Sequence, residues 1–317
     1  MEKAAAGVRR ALRYCLAVQP EETLLIITDE KLLDLGELFF RESLAMSLNA
    51  TLMTMKNLAM DGTEPPKYIA RAMKEVDVVV LVTSRSISHT RARQNASISG
   101  TRIASMPGLT KEMLERPMIV DYEAMGDLSR KIAKKLNESS EVRITTEAGT
   151  DLTLSIKGRE ALADVGVYTD PGAFGNLPAG EAFVPPVEGT ANGTLVVDGA
   201  MAAIGKLATP LIFTIEAGKA TKVQGGEEAE RLKEILENAD KNATNIAEFG
   251  IGTNPKAELT GNVLEDEKVL GTIHIALGDN INFGGYVESS CHLDGIVNAP
   301  TVYLDGIKWM DKGSITC

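Results

Sequence analysis

The feature that most constrains this fold is a run of apolar, mostly β-branched residues at positions 76–82, VDVVVLV. Such residues favour a β-strand, and apolar and polar positions do not alternate along this run. A strand with this pattern must be covered on both faces, which is typical of a parallel sheet with helices on each side. The run therefore predicts the centre of an open α/β sheet.

The segments before this run alternate between predicted helices and strands. Apolar residues recur at helical spacing over residues 5–16 and again over residues 31–48. Short apolar runs at residues 22–29 and 50–55 predict strands, and a helix beginning at Pro65 leads into the central run. Residues 117–120, PMIV, are predicted to add a further strand. We therefore expect residues 1–135 to form a parallel α/β domain.

The composition changes near residues 131–140, KIAKKLNESS, which are typical of a helix end and a linker. Alternating runs joined by glycine-containing turns follow, as expected for antiparallel hairpins. They lie at residues 142–156, 193–206, 210–223 and 300–310, with a helix at residues 227–239 between them. Residues 136–317 are therefore predicted to form a second domain, mostly antiparallel β with a few helices. The predicted fold class is α/β plus α+β, and two domains suit a chain of 317 residues.

Composition excludes several classes of protein. A 44% hydrophobic and 24% charged content is that of a soluble globular chain, and the formal net charge of −11 argues against nucleic-acid and anionic-membrane partners. Three widely separated cysteines form neither a disulfide framework nor a cysteine zinc site. The first residues lack the apolar core of a signal peptide, and no run of about 18 apolar residues occurs. We expect a cytoplasmic protein.

Two of the three histidines lie within residues 271–294, GTIHIALGDNINFGGYVESSCHLD. In a strand, alternate side chains share a face, so His274 shares one face with Thr272 and Ala276 while three apolar residues take the other. His292 and Asp294 likewise converge if their segment is extended. We interpret this stretch as half of a metal site.

Two carboxylates in apolar or turn-rich contexts are candidates for the other half. Glu181 lies in GNLPAGEAFVPP and Glu248 in NIAEFGIGTN. A carboxylate in an apolar strand is costly unless a cation compensates its charge. With His274, His292 and Asp294 they make three carboxylates and two imidazoles, which suit two divalent ions. One carboxylate with both imidazoles would instead match a facial triad for a single Fe(II).

Simpler interpretations exist for the same residues. A histidine in a core strand is commonly just hydrogen-bonded, Glu181 would cap a turn, and Glu248 would pair with a lysine. The acidic residues 265–267 would form a solvated helix start. The third histidine, His89, follows the central strand of the predicted sheet, where open α/β sheets bind ligands. The chain has no GxGxxG or GxxxxGK[ST] motif, so nucleotide binding has no motif support.

In order and spacing, the motifs NLPAGE, EFGIGTNP, LEDEKVLGTIHIALG and SSCHLDG resemble those of the aminopeptidase T and aminopeptidase S family of metallopeptidases. The resemblance implies a homodimeric aminopeptidase that acts on small peptides. Its two metal ions, Zn, Co or Mn, would be bound by five ligands: Glu181, Glu248, His274, His292 and Asp294. Glu267, of the DE motif, would be the general base that activates a metal-bound water.

Three features depart from those peptidases. Residues 279–283, DNINF, carry no tyrosine where the family has a metal ligand, the gap from Glu267 to His274 is longer by two residues, and the chain is shorter than typical peptidases of the family. The FGG, H-x-D-G and SHTxAR segments are more similar to a divergent branch that includes an iron-dependent, ring-cleaving dihydroxypyridine dioxygenase. That resemblance implies one Fe(II), a small aromatic substrate, His89 as acid or base, and substrate steering by Arg91 and Arg93. A catalytically silent binding protein is the third possibility.

Overall fold

The computed structural model describes residues 2–316, whose contacts divide them into two compact units. The first unit runs up to Tyr122 and includes Gly166–Ala179; the second comprises Glu123–Val165 and continues from Gly180. The boundary predicted at residue 135 differs from this division and falls inside a helix. The physical reason is that the apolar side of this helix, with Ile132 and Leu136, belongs to the core of the second unit.

The helices and strands follow one another along both units. The first half of the chain contains α1 (Glu2–Arg10, followed by a π-helical turn at Ala11–Cys15), β1 (Thr23–Asp29), α2 (Leu33–Ala45), β2 (Asn49–Met55), α3 (Lys67–Ala72), β3 (Val78–Val82), α4 (Arg91–Ile98), β4 (Arg102–Ser105), α5 (Lys111–Glu115), α6 (Tyr122–Asn137), β5 (Glu141–Thr145), β6 (Asp151–Ser155) and β7 (Leu162–Asp164). The second half contains β8 (Phe174–Asn176), β9 (Glu181–Val184), β10 (Asn192–Val197), β11 (Ala200–Met201), β12 (Gly205–Lys206), β13 (Leu211–Glu216), β14 (Lys219–Gln224), α7 (Glu227–Asn238), β15 (Ile246–Gly252), α8 (Val263–Asp266), β16 (Ile273–Gly278), a 3₁₀ turn (Ile281–Phe283), β17 (His292–Val297), β18 (Thr301–Leu304), β19 (Ile307–Asp311) and β20 (Ser314–Ile315).

The first unit contains a parallel sheet in the order β2-β1-β3-β4-β8. Every residue of its central strand, β3, is buried, as the apolar run predicted. Residues 117–120 form no strand, and that prediction is wrong. Instead the N–H of Met118 donates to the carbonyl of Met113, which closes the end of α5, and Pro117 has no N–H for a sheet ladder.

The second unit contains two antiparallel sheets. One has eight strands, β14-β13-β10-β6-β5-β18-β19-β20, and the other has seven, β12-β11-β17-β16-β15-β9-β7. A single apolar core contains buried residues from both sheets and from α6 and α7. The predicted fold class is confirmed. None of the helices within residues 2–316 is long and apolar enough to span a membrane.

Three of the four predicted hairpins are present as paired neighbours, namely β5–β6, β13–β14 and β18–β19. The segment at residues 193–206 differs from the prediction. There β10 pairs with β6 and β13, whereas β11 pairs with β12 and with β17 of the other sheet. The chain therefore passes from one sheet to the other within this segment.

Candidate metal centre

One face of the seven-stranded sheet carries all five predicted metal ligands. Along β16, Ile273, Ile275 and Leu277 belong to the apolar core, so the intervening His274 points to the opposite face. The same alternation in β9, β15 and β17 places the side chains of Glu181, Glu248, His292 and Asp294 on that face. The strand order β17-β16-β15-β9 makes these four strands neighbours.

Small residues between the ligands make room for them. Gly250 of β15 pairs with His274 of β16, and a Cβ atom at position 250 would lie 1.9 Å from Nε2 of His274. Ala276 pairs with both Glu248 and Asp294, one on each neighbouring strand. The face therefore alternates long polar side chains with residues that have little or no side chain.

The ligand atoms form two groups that share one carboxylate. Nε2 of His274 lies 3.1 Å from Oε1 of Glu248 and 3.3 Å from Oε2 of Glu181. Nε2 of His292 lies 3.4 Å from Oε2 of Glu248 and 3.5 Å from Oδ1 of Asp294. Within each group the candidate ligand atoms lie within 4.8 Å of one another. The structure thus brings together the five residues that the sequence singled out, and the two imidazoles flank the carboxylate of Glu248.

Groups around His292 fix the orientation of its ring. Nδ1 of His292 lies 2.7 Å from the backbone carbonyl oxygen of Asp279, so this nitrogen carries the proton and donates it. Nε2 is then left to act as a ligand, as is usual for metal-binding histidines with a fixed tautomer. The ring of Phe283 packs edge-on against the imidazole, with centroids 5.6 Å apart.

The charges of the site suit a cation. Burial by itself would lower the pKa of His274. Hydrogen bonding to Glu248 and the charge of Glu181 outweigh burial and raise this pKa to about 9. Burial by itself would raise the pKa of Asp294. The charge of His292 outweighs burial and holds this pKa well below its usual range. Among the described residues, Oε2 of Glu181, Oδ1 of Asp294 and Nδ1 of His274 are buried without a hydrogen-bond partner. Buried carboxylate oxygens without partners are what a divalent metal ion would satisfy.

Lys268 is a member of the cluster that the sequence interpretation missed. Its Nζ lies 2.5 Å from Oε1 of Glu181, 2.6 Å from Oε1 of Glu267 and 4.0 Å from Oδ2 of Asp164. The side chain is only 1% exposed. The residue follows an acidic trio that is typical of a solvated surface, so no local pattern marked it as buried.

The acidic trio itself is not a solvated helix start. Glu265 and Asp266 are fully buried, and their carboxylates accept backbone N–H groups of the preceding loop, from Glu258, Thr260 and Gly261. Burial raises the pKa of the third member, Glu267, to about 8, against the attraction of Lys268. Two of the three acids therefore hold the loop, and the predicted role of Glu267 as general base stays a prediction.

The remaining predicted site residues lie in the first unit. His89 is exposed in the turn that follows β3, and Arg91 is exposed at the first position of α4. Arg93 is engaged in its own unit, because its Nε donates to the carbonyl of Ser88 at 2.6 Å and its guanidinium lies 4.1 Å from the ring centroid of Phe174. Burial lowers the pKa of Arg93. The contacts of Arg93 support the loop that carries His89; substrate binding by Arg91 and Arg93 stays a prediction.

Comparison with known proteins connects this chain to a family. The sequence profile of NicX, 2,5-dihydroxypyridine 5,6-dioxygenase, matches residues 4–317. The 2,5-dihydroxypyridine 5,6-dioxygenase of Pseudomonas putida is 27% identical over 253 residues, which are 74% of this chain and 69% of the relative.

Two solved structures share the fold. The structure of 2,5-dihydroxypyridine dioxygenase from Pseudomonas putida KT2440 has a TM-score of 0.84 at 20% identity, covering 99% of this chain and 97% of that one. Wild-type AmpT from Thermus thermophilus has a TM-score of 0.74 at 18% identity, covering 100% of this chain and 99% of that one. The shared fold agrees with the resemblance seen in the sequence motifs.

Proposed function

The chain belongs to the 2,5-dihydroxypyridine 5,6-dioxygenase family, and on that premise we propose that it is an Fe(II)-dependent dioxygenase that cleaves the ring of a dihydroxypyridine-like substrate. The observation that carries the proposal is the pair of imidazoles, His274 and His292, on either side of the Glu248 carboxylate with Asp294 beside them. Two histidines and one carboxylate are the ligand set of the facial triad of non-haem Fe(II) oxygenases, and Glu248 lies 3.1 Å from one imidazole and 3.4 Å from the other.

When bound, Fe(II) supplies the one-electron chemistry that dioxygen needs to react with an aromatic ring. The protein holds the ligands in place for it. The backbone carbonyl of Asp279 fixes the tautomer of His292, and Gly250 leaves the volume that the ring of His274 occupies. Because Glu248 and Asp294 both lie within 3.5 Å of Nε2 of His292, one of them would complete the triad and the other would be free to accept a proton or a hydrogen bond from the substrate.

Aromatic side chains beside the ligands suit an aromatic substrate. Phe283 contacts His292 edge-on, and the ring of Phe183 lies 5.7 Å from that of Phe283 at an angle of 77°. Edge-to-face packing of this kind is favourable between aromatic rings. Such an apolar surface would exclude water. It would therefore bind a flat aromatic ring more readily than a free α-amino group.

The segment that would carry a tyrosine ligand in the peptidases is built differently here. The side chain of Asn280 is fully buried; its amide nitrogen donates to Glu188, and its oxygen accepts the N–H of Val287. Phe283, in the same segment, offers no ligand atom. This difference from the peptidase pattern favours the dioxygenase over the hydrolase.

A metal-dependent aminopeptidase is the second candidate, and one observation favours it. Glu248 is shared by the two ligand groups, as a bridging carboxylate would be in a two-metal hydrolase. Glu181 would then bind one ion with His274, and Asp294 the other with His292. Glu267 would take a proton from the attacking water.

Metal content and oxygen consumption separate these functions. For the dioxygenase, we expect about one Fe per chain and one O₂ consumed per dihydroxypyridine ring cleaved, with no turnover under anaerobic conditions. About two Zn, Co or Mn ions per chain, with oxygen-independent turnover of leucyl-p-nitroanilide, would show the aminopeptidase instead. A chain that binds metal but performs neither reaction would be the catalytically silent relative.

His274→Ala is the control for either reaction, because it removes a ligand that both mechanisms require. A matched variant, Asn238→Ala, changes an exposed polar side chain of α7, in the same unit but outside the ligand cluster. Activity that survives His274→Ala would contradict the proposed centre.

A further inference from the structure

We propose that the hydroxyl groups of Ser105 and Thr90 hold His89 in place, so that these two are positioning residues for the predicted acid or base. The inference rests on the proposed function, because His89 would act as the acid or base of the proposed dioxygenase. It uses contacts within the first unit alone.

His89 is an exposed residue between buried neighbours. Ile87, Ser88 and Thr90 are each at most 3% exposed. The backbone N–H of Thr90 donates to the carbonyl of Ile87 at 3.2 Å, which closes a β-turn with His89 at its third position. The imidazole therefore projects from a turn whose other residues are enclosed.

Ser105 fixes the residue before His89. It is the last residue of β4 and fully buried, and its hydroxyl oxygen lies 2.8 Å from that of Ser88. A buried hydroxyl without a partner is costly, so this pair favours one position of the turn relative to the sheet. The carbonyl of Ser88 also accepts the Nε–H of Arg93 at 2.6 Å. Ser88 is therefore bound to β4 through its side chain and to α4 through its backbone.

Thr90 fixes the residue after His89, because it is itself that residue and the N-cap of α4. Its Oγ1 accepts the N–H of Arg93 at 3.2 Å and donates to the carbonyl of Ile87 at 2.7 Å. The hydroxyl thus satisfies one N–H of the first helical turn and makes a second hydrogen bond across the β-turn. Loss of this hydroxyl would loosen both the start of α4 and the turn that carries His89.

These contacts matter for proton transfer. A side chain that transfers a proton must lie within hydrogen-bond reach of one substrate atom, and a displacement of about 1 Å can cost about 10²-fold in rate. The backbone on both sides of His89 is fixed by a buried hydroxyl, although the imidazole itself is exposed. Loss of either hydroxyl should therefore lower kcat more than it changes KM.

The test is a set of double-mutant cycles, measured by steady-state kinetics of ring cleavage. Thr90→Val and Ser105→Ala each remove one hydroxyl, and we expect kcat to fall by about 10–100-fold while KM stays within about twofold of wild type. In a His89→Ala background, neither variant should lower kcat further. Thr90→Ser, which keeps the hydroxyl, should retain the wild-type kcat.

The same unit offers matched controls. Thr110→Val removes the N-cap hydroxyl of α5, which accepts the N–H of Met113 at 3.3 Å. Ser43→Ala removes a buried hydroxyl that donates to the carbonyl of Phe39. Both controls should keep the wild-type kcat. A loss of kcat in the controls as large as that in Ser105→Ala would show a general effect of destabilisation and would overturn the proposal.

Nuclear magnetic resonance of protein with ¹⁵N-labelled histidine gives a readout that needs no turnover. The chain has three histidines, so His89→Ala assigns the amide signal of His89. In Thr90→Val and Ser105→Ala, this amide should have a lower order parameter than in wild type, and in both controls it should match wild type. If Ser105→Ala fails to fold, Ser88→Ala removes the same hydrogen bond from the turn and should give the same result.

Two further outcomes overturn the proposal. One is a wild-type order parameter of the His89 amide in the folded Thr90→Val and Ser105→Ala proteins. The other is a loss of kcat that is as large in the His89→Ala background as in wild type, because the hydroxyls would then act on the reaction without His89.

The result is separable from that of the proposed function. A chain that cleaves no ring, but whose His89 amide loses order in both variants, would retain the positioning roles and lose the dioxygenase. A chain that cleaves the ring, but whose His89 amide keeps its order in both variants, would retain the dioxygenase and lose the positioning roles.

Discussion

His274 occupies its position only because Gly250, its partner on the neighbouring strand, has no side chain. The imidazole fills the space where a Cβ atom of residue 250 would lie. The candidate ligand and the glycine are therefore a pair, although 24 positions separate them in the sequence. At this scale, the candidate centre depends on the small residues between the polar side chains as much as on the polar side chains themselves.

Gly250→Ala should displace the ring of His274 and abolish tight metal binding without removing any ligand. Overpacking of this kind costs about 1–3 kcal/mol of unfolding free energy. Calorimetric titration with Fe²⁺ or Mn²⁺ and denaturation in urea would measure both effects. Gly126→Ala in α6, where the new Cβ would meet the mobile end of Arg130, is the control and should bind metal normally. Wild-type metal affinity in Gly250→Ala would contradict the pairing.

His89→Ala tests the acid or base role predicted from the sequence. General acid–base catalysis contributes about 10²–10⁴-fold, so we expect kcat to fall by that factor while the metal content stays at the wild-type level. Steady-state kinetics of ring cleavage, with metal analysis of the same sample, would check it. Unchanged kcat would remove His89 from the mechanism.

At the scale of elements, the segment between β16 and β17 is held by two carboxylates from elsewhere in the second unit. Glu188 accepts the side-chain amide of Asn280 and the N–H of Tyr286, at 3.1 and 2.9 Å. Asp240 accepts the N–H of Ser290 and the hydroxyl of Ser289. The same segment supplies the Asp279 carbonyl and the Phe283 ring that contact His292. Its conformation therefore sets the orientation of His292, a candidate ligand.

Asp240→Ala should loosen this segment. The hydrogen bond from the Ser290 N–H lowers the pKa of Asp240 to about 2, so the carboxylate is charged under all ordinary conditions. We expect a loss of about 1 kcal/mol in unfolding free energy, typical of one net hydrogen bond, and a higher KM for the aromatic substrate. Hydrogen exchange should become faster within residues 279–291. Glu237→Gln, an exposed acid on α7, is the control; wild-type exchange in Asp240→Ala would contradict the assignment.

For the molecule as a whole, stability against acid depends on carboxylates that are paired in the folded state. In the first unit, the guanidinium of Arg102 at the start of β4 donates to both oxygens of Glu22, at 2.8 and 2.6 Å. Both side chains are mostly buried. The hydrogen bonds from Arg102 are the main cause that lowers the pKa of Glu22 below its ordinary value.

The lowered pKa of Glu22 determines how the stability of the folded protein changes with pH. A carboxylate whose pKa is lowered by folding stabilises the protein above its unfolded pKa, near 4.5, and loses that contribution as the pH falls through the folded pKa. Glu22→Gln should therefore cost about 1.5–3 kcal/mol at pH 7, with a difference from wild type that shrinks below pH 4.5. Denaturation at several pH values would measure it. Glu21→Gln changes the exposed neighbouring residue, and its effect on the unfolding free energy should not vary with pH. If the loss of unfolding free energy in Glu22→Gln were the same at every pH, the pairing of Glu22 with Arg102 would be refuted.

Local patterns predicted much of the fold, and they singled out the five residues that the structure brings together. The run at residues 76–82 predicted the buried β3, and alternation along β16 placed His274 opposite the apolar core. The strand at residues 117–120 was wrong because an apolar tetrapeptide is equally compatible with a buried turn. β4 was missed, because its four residues lie within a polar segment that has no strand period.

By itself, the sequence determined which residues face the core and which face the site, because side-chain direction in a strand follows from position along the chain. It also singled out the five candidate ligands: strand alternation indicated His274, His292 and Asp294, and carboxylates in apolar or turn-rich contexts indicated Glu181 and Glu248. Only the tertiary structure decided that Lys268 meets Glu181, 87 positions away, and that β8 joins the parallel sheet from beyond β7. Contacts of this kind depend on strand order and on how connections cross the fold, and no local period in the sequence encodes either.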